Sequence, residues 1–286
     1  MYYDTAVKTI RKMALCLLLL LFCRVAAGAV QQVEDVAVPS AAMERAVHSL
    51  VMLPEGYDGQ KCYPVVFLLH GWNMKCHEWL RVQRDLPKLA TEHGLILVCP
   101  DAANSWYWDS PVNPSLRYET FVACELPEYV RSHYKTIDSP RARAVTGLSM
   151  GGHGALWLAI RHQDVFGACG AMSGAVDIRP FPNRWNIADA LGPFEDNPER
   201  WAAHTVMTQL HLIRPGLSII IDCGTEDFFH EVNATLHREL LARKVPHDSI
   251  SRPGAHNARS WRNAILYQLL FFSELFRTLA EEEKAE

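Results

Sequence analysis

Five short, nearly continuous apolar runs constrain this chain most: VVFLLH from Val65, LILVCP from Leu95, RAVTG from Arg143, ACGAMSG from Ala168 and LSIIIDCG from Leu217. A half-exposed strand alternates apolar and polar residues. Unbroken apolarity instead suits a strand buried on both faces, as in a parallel sheet covered by helices. The segments between the runs read as helices: His77–Gly94 with a kink at Pro87, Tyr118–Tyr134, one opening at Gly151, one opening at Glu231, and a last one from Arg262. This alternation predicts the α/β class, with a doubly wound, mostly parallel sheet and helices on both faces. The stretch 177–215 breaks the rhythm. With five prolines and two tryptophans it is too long for an ordinary connection. It reads as an insertion over the carboxyl ends of the strands, where open parallel sheets bind ligands.

The first residues belong to a different class. Lys8, Arg11 and Lys12 precede an apolar run of 11 residues, Met13 to Cys23, and small residues follow at Ala27 and Ala29. A basic start, a short apolar run and an A-x-A site predict a secretory signal peptide over residues 1–29. A membrane span needs roughly 20 apolar residues. The expected product is therefore a single exported domain from residue 30 to 286, periplasmic or secreted, without membrane attachment after cleavage. From residue 30 onward 24 Lys/Arg face 31 Asp/Glu, a formal charge of −7 with no basic stripe, which excludes nucleic acid as an expected partner. Six cysteines remain, none in a C-x-x-C pair or at zinc-ligand spacing. Cys99 and Cys223 end apolar runs and are expected to be buried free thiols. Cys62 and Cys76 are the pair to test for a disulfide, which export would permit.

Between the strand ending RAV and the helix from Gly151 lies GLSMG, Gly147 to Gly151. In that setting G-x-S-x-G forms a sharp turn that holds the serine hydroxyl above the sheet, so Ser149 is the candidate nucleophile. A serine hydroxyl needs an adjacent base. His256, in the Pro-Gly loop RPGAHNARSW before the last helix, occupies the expected late position. His153 lies on the helix after the turn, and His230 and His247 lack a strand-end setting. The acid should follow LSIIID, where Asp222, Glu226 and Asp227 cluster. Asp227 is preferred because it lies beyond Gly224, where the chain can turn toward His256. An oxyanion hole needs two backbone N–H groups. Met150, next after the nucleophile, offers one, and Trp72 in the strand-end loop LLHGWN offers the other. NSWYWDSP, Asn104 to Pro111, gathers Trp106, Tyr107 and Trp108 after a strand end and reads as a sugar or aryl platform. Trp185 and Trp201 in the insertion are weaker candidates.

VVFLLHGW, GLSMGGHGAL, IDCGTEDFF and PGAHNARSW, in that order, resemble the esterase D family of α/β-hydrolases over residues 46–276. That family includes S-formylglutathione hydrolases, short-chain acyl esterases, feruloyl and acetyl xylan esterases, and mycolyltransferases. The resemblance implies an α/β-hydrolase fold, Ser149 as nucleophile, Asp227 as acid, His256 as base, and the Met150 and Trp72 amides as oxyanion donors. Many relatives carry a glycine shortly after His-Gly. Here the run is WNMKCHEW, which implies a reshaped acyl pocket. The leader sets the chain apart from the cytoplasmic S-formylglutathione hydrolases. The expected activity is that of an exported serine carboxylesterase acting on a small-molecule or oligosaccharide ester, with no metal or organic cofactor, and falling as His256 takes up a proton. The rival readings are acyl transfer through the same three residues, and a carbohydrate-binding protein without turnover.

Overall fold

The computed structural model describes residues 32–285, with side chains as far as residue 282. The expected signal peptide lies outside the described residues. Eight strands form one sheet in the order β1-β2-β4-β3-β5-β6-β7-β8. They are β1 Gln32–Ser40, β2 Arg45–Leu53, β3 Val65–Leu69, β4 Ile96–Pro100, β5 Arg143–Leu148, β6 Ala168–Met172, β7 Ser218–Gly224 and β8 Asp248–Arg252. The five apolar runs are β3 to β7. Every neighbouring pair from β4 across to β8 is parallel. β1 and β2 form an antiparallel hairpin whose second strand pairs antiparallel with β4.

Continuous apolarity in these strands reflects two cores. In β3, Val65, Phe67 and Leu69 face one hydrophobic cluster, while Val66 and Leu68 face the other. On the first face pack the helix α4, Met150–Arg161, and the helical stretch that runs from Tyr118 through a π-helical turn at Phe121–Glu125 into α3, Leu126–His133. The second face is covered by α1, Glu78–Val82, α2, Leu86–His93, and the long last helix α9, Ala258–Ala285, whose Ala264, Ile265, Leu269, Phe272 and Phe276 are buried. Residues 177–215 hold three short helices, α5 Ile187–Leu191, α6 Pro198–Ala203 and α7 Val206–Gln209, anchored to the first core by Ile187, Leu191, Trp201 and Val206. α8, His230–Ala242, connects β7 to β8.

Two sequence expectations are corrected, and one strand has no sequence signal. The helix over His77–Gly94 is two helices, α1 and α2, because Gln83 turns to an extended conformation before Pro87. Pro87 then sits in the first turn of α2, where its missing N–H costs no hydrogen bond. β8 separates β7 from the His256 loop and is a polar edge strand, DSISR, with no apolar run to reveal it. Cys62 and Cys76 are not bonded. Cys62 is exposed and Cys76 is buried, and all six described cysteines are free. Burial pushes the Cys76 thiol up to about 12, so it behaves as an apolar filler.

Alkylation of the native protein followed by mass spectrometry is therefore expected to modify Cys62 and Cys124 and to spare Cys76, Cys99, Cys169 and Cys223 until the chain is unfolded. A Cys62–Cys76 crosslinked peptide would contradict this packing.

Candidate active site

Ser149 sits between β5 and α4 with φ 56 and ψ −117, a region that costs a non-glycine residue about 1–3 kcal/mol. The neighbouring glycines hold it there. A methyl group at Gly151 would lie 2.2 Å from the Leu69 carbonyl oxygen, and one at Gly147 would lie 2.4 Å from the Gly151 carbonyl carbon. Both contacts are with backbone, which cannot move aside. The Ser149 N–H donates to the Met172 carbonyl at 2.9 Å, which ties the turn to β6.

His256 lies in the loop between β8 and α9. Its Nε2 is 2.9 Å from Ser149 Oγ, and its Nδ1 is 2.9 and 3.0 Å from the two carboxylate oxygens of Asp227. The His256 and Asp227 loops are fastened together. The Glu226 N–H donates to the Gly254 carbonyl at 2.9 Å and the Thr225 N–H to Arg252 at 2.8 Å. A methyl group at Gly224 would meet the Gly254 oxygen at 2.1 Å. Burial raises the Asp227 carboxyl, but hydrogen bonds from His256, the Phe229 N–H and Ser173 outweigh it and hold the group below the usual carboxylate range. An imidazole between a charged carboxylate and a hydroxyl can take the hydroxyl proton and be stabilised as an imidazolium.

The other candidates lie elsewhere. Asp222 pairs with Arg252, and Glu226 is exposed. His153 is fully buried and donates from Nδ1 to the Ala175 carbonyl at 3.1 Å. Burial pushes its imidazole down to about 3, against the opposing effect of that carbonyl. His230 meets Ser251, and His247 meets His237.

The loop after β3 lies beside the elbow: a methyl group at Gly71 would lie 3.5 Å from Ser149 Cβ. His70 fixes this loop. Its Nε2 accepts from the Ala102 N–H at 2.9 Å, which leaves the proton on Nδ1, and Nδ1 donates to the Gly71 carbonyl at 2.8 Å. Burial lowers the pKa of this imidazole, against the opposing pull of the Gly71 carbonyl. The Met74 N–H donates to the same carbonyl at 3.2 Å. Peptide planarity then directs the Trp72 N–H the opposite way. Neither the Trp72 nor the Met150 N–H donates to a protein acceptor among the described residues. Met150 opens α4, where first-turn amides have no helical partner. The Trp72 and Met150 amides are thus spare donors on the two loops that meet at Ser149.

The aromatic platform is corrected. Trp106, Tyr107 and Trp108 are 1%, 0% and 0% exposed, so none presents a face to a ligand. Positive φ at Trp106 and Tyr107 turns the segment into the core. Trp106 stacks on Trp108, and both meet the edge of His153. The Tyr107 hydroxyl donates to the His70 carbonyl at 2.9 Å. These rings brace α4 and the Gly71 loop from below. Trp201 is likewise buried. The aromatics beside His256 are Phe228, Phe229 and Trp261, with Trp185 stacked on Phe228. His70, Ser173 and Phe228 carry no sequence signal of a role, because their roles come from contacts with distant segments. Among the described residues no three His, Cys, Asp or Glu side chains gather as metal ligands.

A family model described as "Putative esterase" matches residues 40–272. "Esterase MT1326" of Mycobacterium tuberculosis is 30% identical over 240 residues, 72% of this chain and 51% of that protein. The chain therefore spans about half the length of that relative. S-formylglutathione hydrolase of Bos taurus is 29% identical over 68% of this chain and 77% of its own length. Among solved structures, the fluorophosphonate-binding serine hydrolase F of Staphylococcus aureus superposes with a TM-score of 0.76 at 20% identity, covering 85% of this chain and 98% of that one. A ferulic acid esterase superposes at 0.71 with 28% identity, over 86% and 98%. The sheet is that of the α/β-hydrolases.

His153 makes stability pH-dependent. The unfolded chain protonates it below about 6.5, while the folded chain does not until about 3. Stability is therefore expected to fall as pH drops through this window, by about 1.4 kcal/mol per unit for this one group. Urea unfolding of His153→Gln between these limits should show a slope shallower by that amount, and an unchanged slope would contradict the buried neutral imidazole.

Proposed function

Because the chain belongs to the esterase family whose model spans residues 40–272, we propose that it is an exported serine carboxylesterase working through Ser149, His256 and Asp227. The observation that supports this most is the unbroken line of hydrogen bonds from hydroxyl through imidazole to carboxylate, at 2.9 Å and 2.9–3.0 Å. Ser149 Oγ attacks the ester carbonyl carbon while His256 Nε2 takes its proton. The carbonyl oxygen becomes an oxyanion held by the Trp72 and Met150 amides, a contact whose loss typically costs 10²–10³ in rate. His256 returns the proton to the alcohol oxygen as the C–O bond breaks, leaving an acyl group on Ser149. Water then attacks that acyl carbon, giving a proton to His256, and Ser149 Oγ leaves with it. Asp227 holds the imidazole tautomer and stabilises the imidazolium. Side chains and amides serve every bond change, so the proposal includes no metal or organic cofactor.

Short acyl or aryl esters, including acetyl and feruloyl groups on polysaccharide, are the proposed substrates. The likeness to a ferulic acid esterase favours the feruloyl group, and the leader that predicts export favours an ester outside the cytoplasm. Export itself is checked by N-terminal sequencing of the mature protein, which should begin near residue 30.

The purified protein is expected to hydrolyse at least one of a panel of acetyl, butyryl and feruloyl esters. Ser149→Ala should lower kcat by about 10⁴-fold or more, since removing the nucleophile removes the acyl-enzyme route. Full activity in Ser149→Ala, or no turnover of any ester by the parent protein, would overturn the reading.

A further inference from the structure

Phe228 is the one phenylalanine or tryptophan among the described residues whose side chain is left exposed, at 56%, although the next residue, Phe229, is 1% exposed. Its ring centroid lies 4.3 Å from that of His256, and it stacks on Trp185 at 6.0 Å with an interplanar angle of 18°. Trp185 comes from the insertion and is held firmly. Its backbone has φ 52, its carbonyl accepts the Trp106 indole N–H at 3.3 Å, and Phe181 and Phe229 pack against it at 5.2 and 5.3 Å. Next to it, residues 182–188 line a hollow of about 270 Å³, with exposed Asn183, Arg184 and Asn186 on its wall. The result is a supported, solvent-exposed aromatic ring beside the catalytic imidazole.

Chemistry decides which part of an ester meets this face. His256 Nε2 delivers its proton to the departing alcohol oxygen, so the alcohol lies on the imidazole side of the scissile bond. The Trp72 and Met150 amides hold the carbonyl oxygen, and the acyl chain extends from the carbon they polarise. A ring flanking the imidazole therefore meets the alcohol. Aromatic faces favour flat partners, through stacked or edge-on contact with another ring; a pyranose offers a comparable flat face of C–H groups.

We propose that Phe228, seated on Trp185, is a specificity-determining residue for the leaving alcohol and selects alcohols that carry a flat ring, aromatic or sugar, over small alkyl alcohols. The proposal rests on the esterase reading above. It assigns the insertion a role in the alcohol subsite, in place of the buried Trp106-Tyr107-Trp108 segment.

The test compares kcat/KM for phenyl acetate, for an acetylated methyl xyloside and for ethyl acetate in the parent protein, Phe228→Leu and Phe228→Tyr. Comparing variants on a fixed pair of substrates cancels the intrinsic reactivity of each ester. Phe228→Leu keeps apolar bulk but removes the flat face, and is expected to lower the ratio of a ring-bearing ester to ethyl acetate by about five- to tenfold. Phe228→Tyr should retain the parent ratio. A fall confined to phenyl acetate identifies aryl alcohols, and one confined to the xyloside identifies sugars. Both ratios unchanged in Phe228→Leu, in an active enzyme, would overturn the proposal alone. Inactivity of the parent protein on all three esters would overturn it together with the esterase reading.

Discussion

The contact between the Gly151 backbone and the Leu69 carbonyl is the constraint on which the site depends. No side chain fits between them. α4 therefore starts against the end of β3, and Ser149 is held at positive φ just above the sheet. Because Leu69 ends β3, the loop carrying His70, Gly71 and Trp72 leaves from the same point. The hydroxyl and its neighbouring amides share one rigid support, so their spacing does not depend on a flexible hinge. A second backbone contact, between Gly224 and Gly254, fastens the loops of Asp227 and His256. In the sheet order β5-β6-β7-β8 only β6 separates these two fastened units, and the hydrogen bond between Ser149 and His256 joins them.

Beneath the elbow lies a layer of rings and imidazoles with little freedom to move. His153, Trp157 and His204 stack nearly parallel, at interplanar angles of 12° and 11°. At the far end of α4, Glu119 accepts from the Trp157 indole, Arg161 and His162 at 2.8–2.9 Å. Burial raises its carboxyl, but these three partners outweigh burial and hold it at about 2. α4 is thus clamped at its start by backbone contact and at its end by a charged cluster. The neutral His153 costs acid stability and in return packs against Trp106, Trp108 and Trp157 without adding a charge to the core.

The central strands were legible because two-faced burial leaves an unbroken apolar run in the sequence. β1, with its alternating and mostly exposed residues, and β8, with none but Ile250 apolar, carry no such signal. Their pairing is set by neighbours already in place. Ser149, Asp227 and His256 stood out because each sits in a loop whose glycines mark tight turns. His70 and Ser173 did not, since their significance lies in which carbonyl or carboxylate they reach. The run WYW was misleading for a physical reason. Three large rings in a loop suit a platform and a buried brace equally well, and the positive φ values that turn them inward cannot be read from residue type. Phe228, one aromatic beside another, carried no sign that one ring would be buried and the other exposed.

The central proposal is that the strained turn at Ser149 presents a nucleophile that works with the Trp72 and Met150 amides. A crystal structure of the protein after reaction with a fluorophosphonate tests both halves together. The account predicts phosphorus bonded to Ser149 Oγ, with the phosphoryl oxygen about 2.7–3.1 Å from both the Trp72 and Met150 amide nitrogens. Phosphorus on another residue, or a phosphoryl oxygen turned away from these amides, would contradict it.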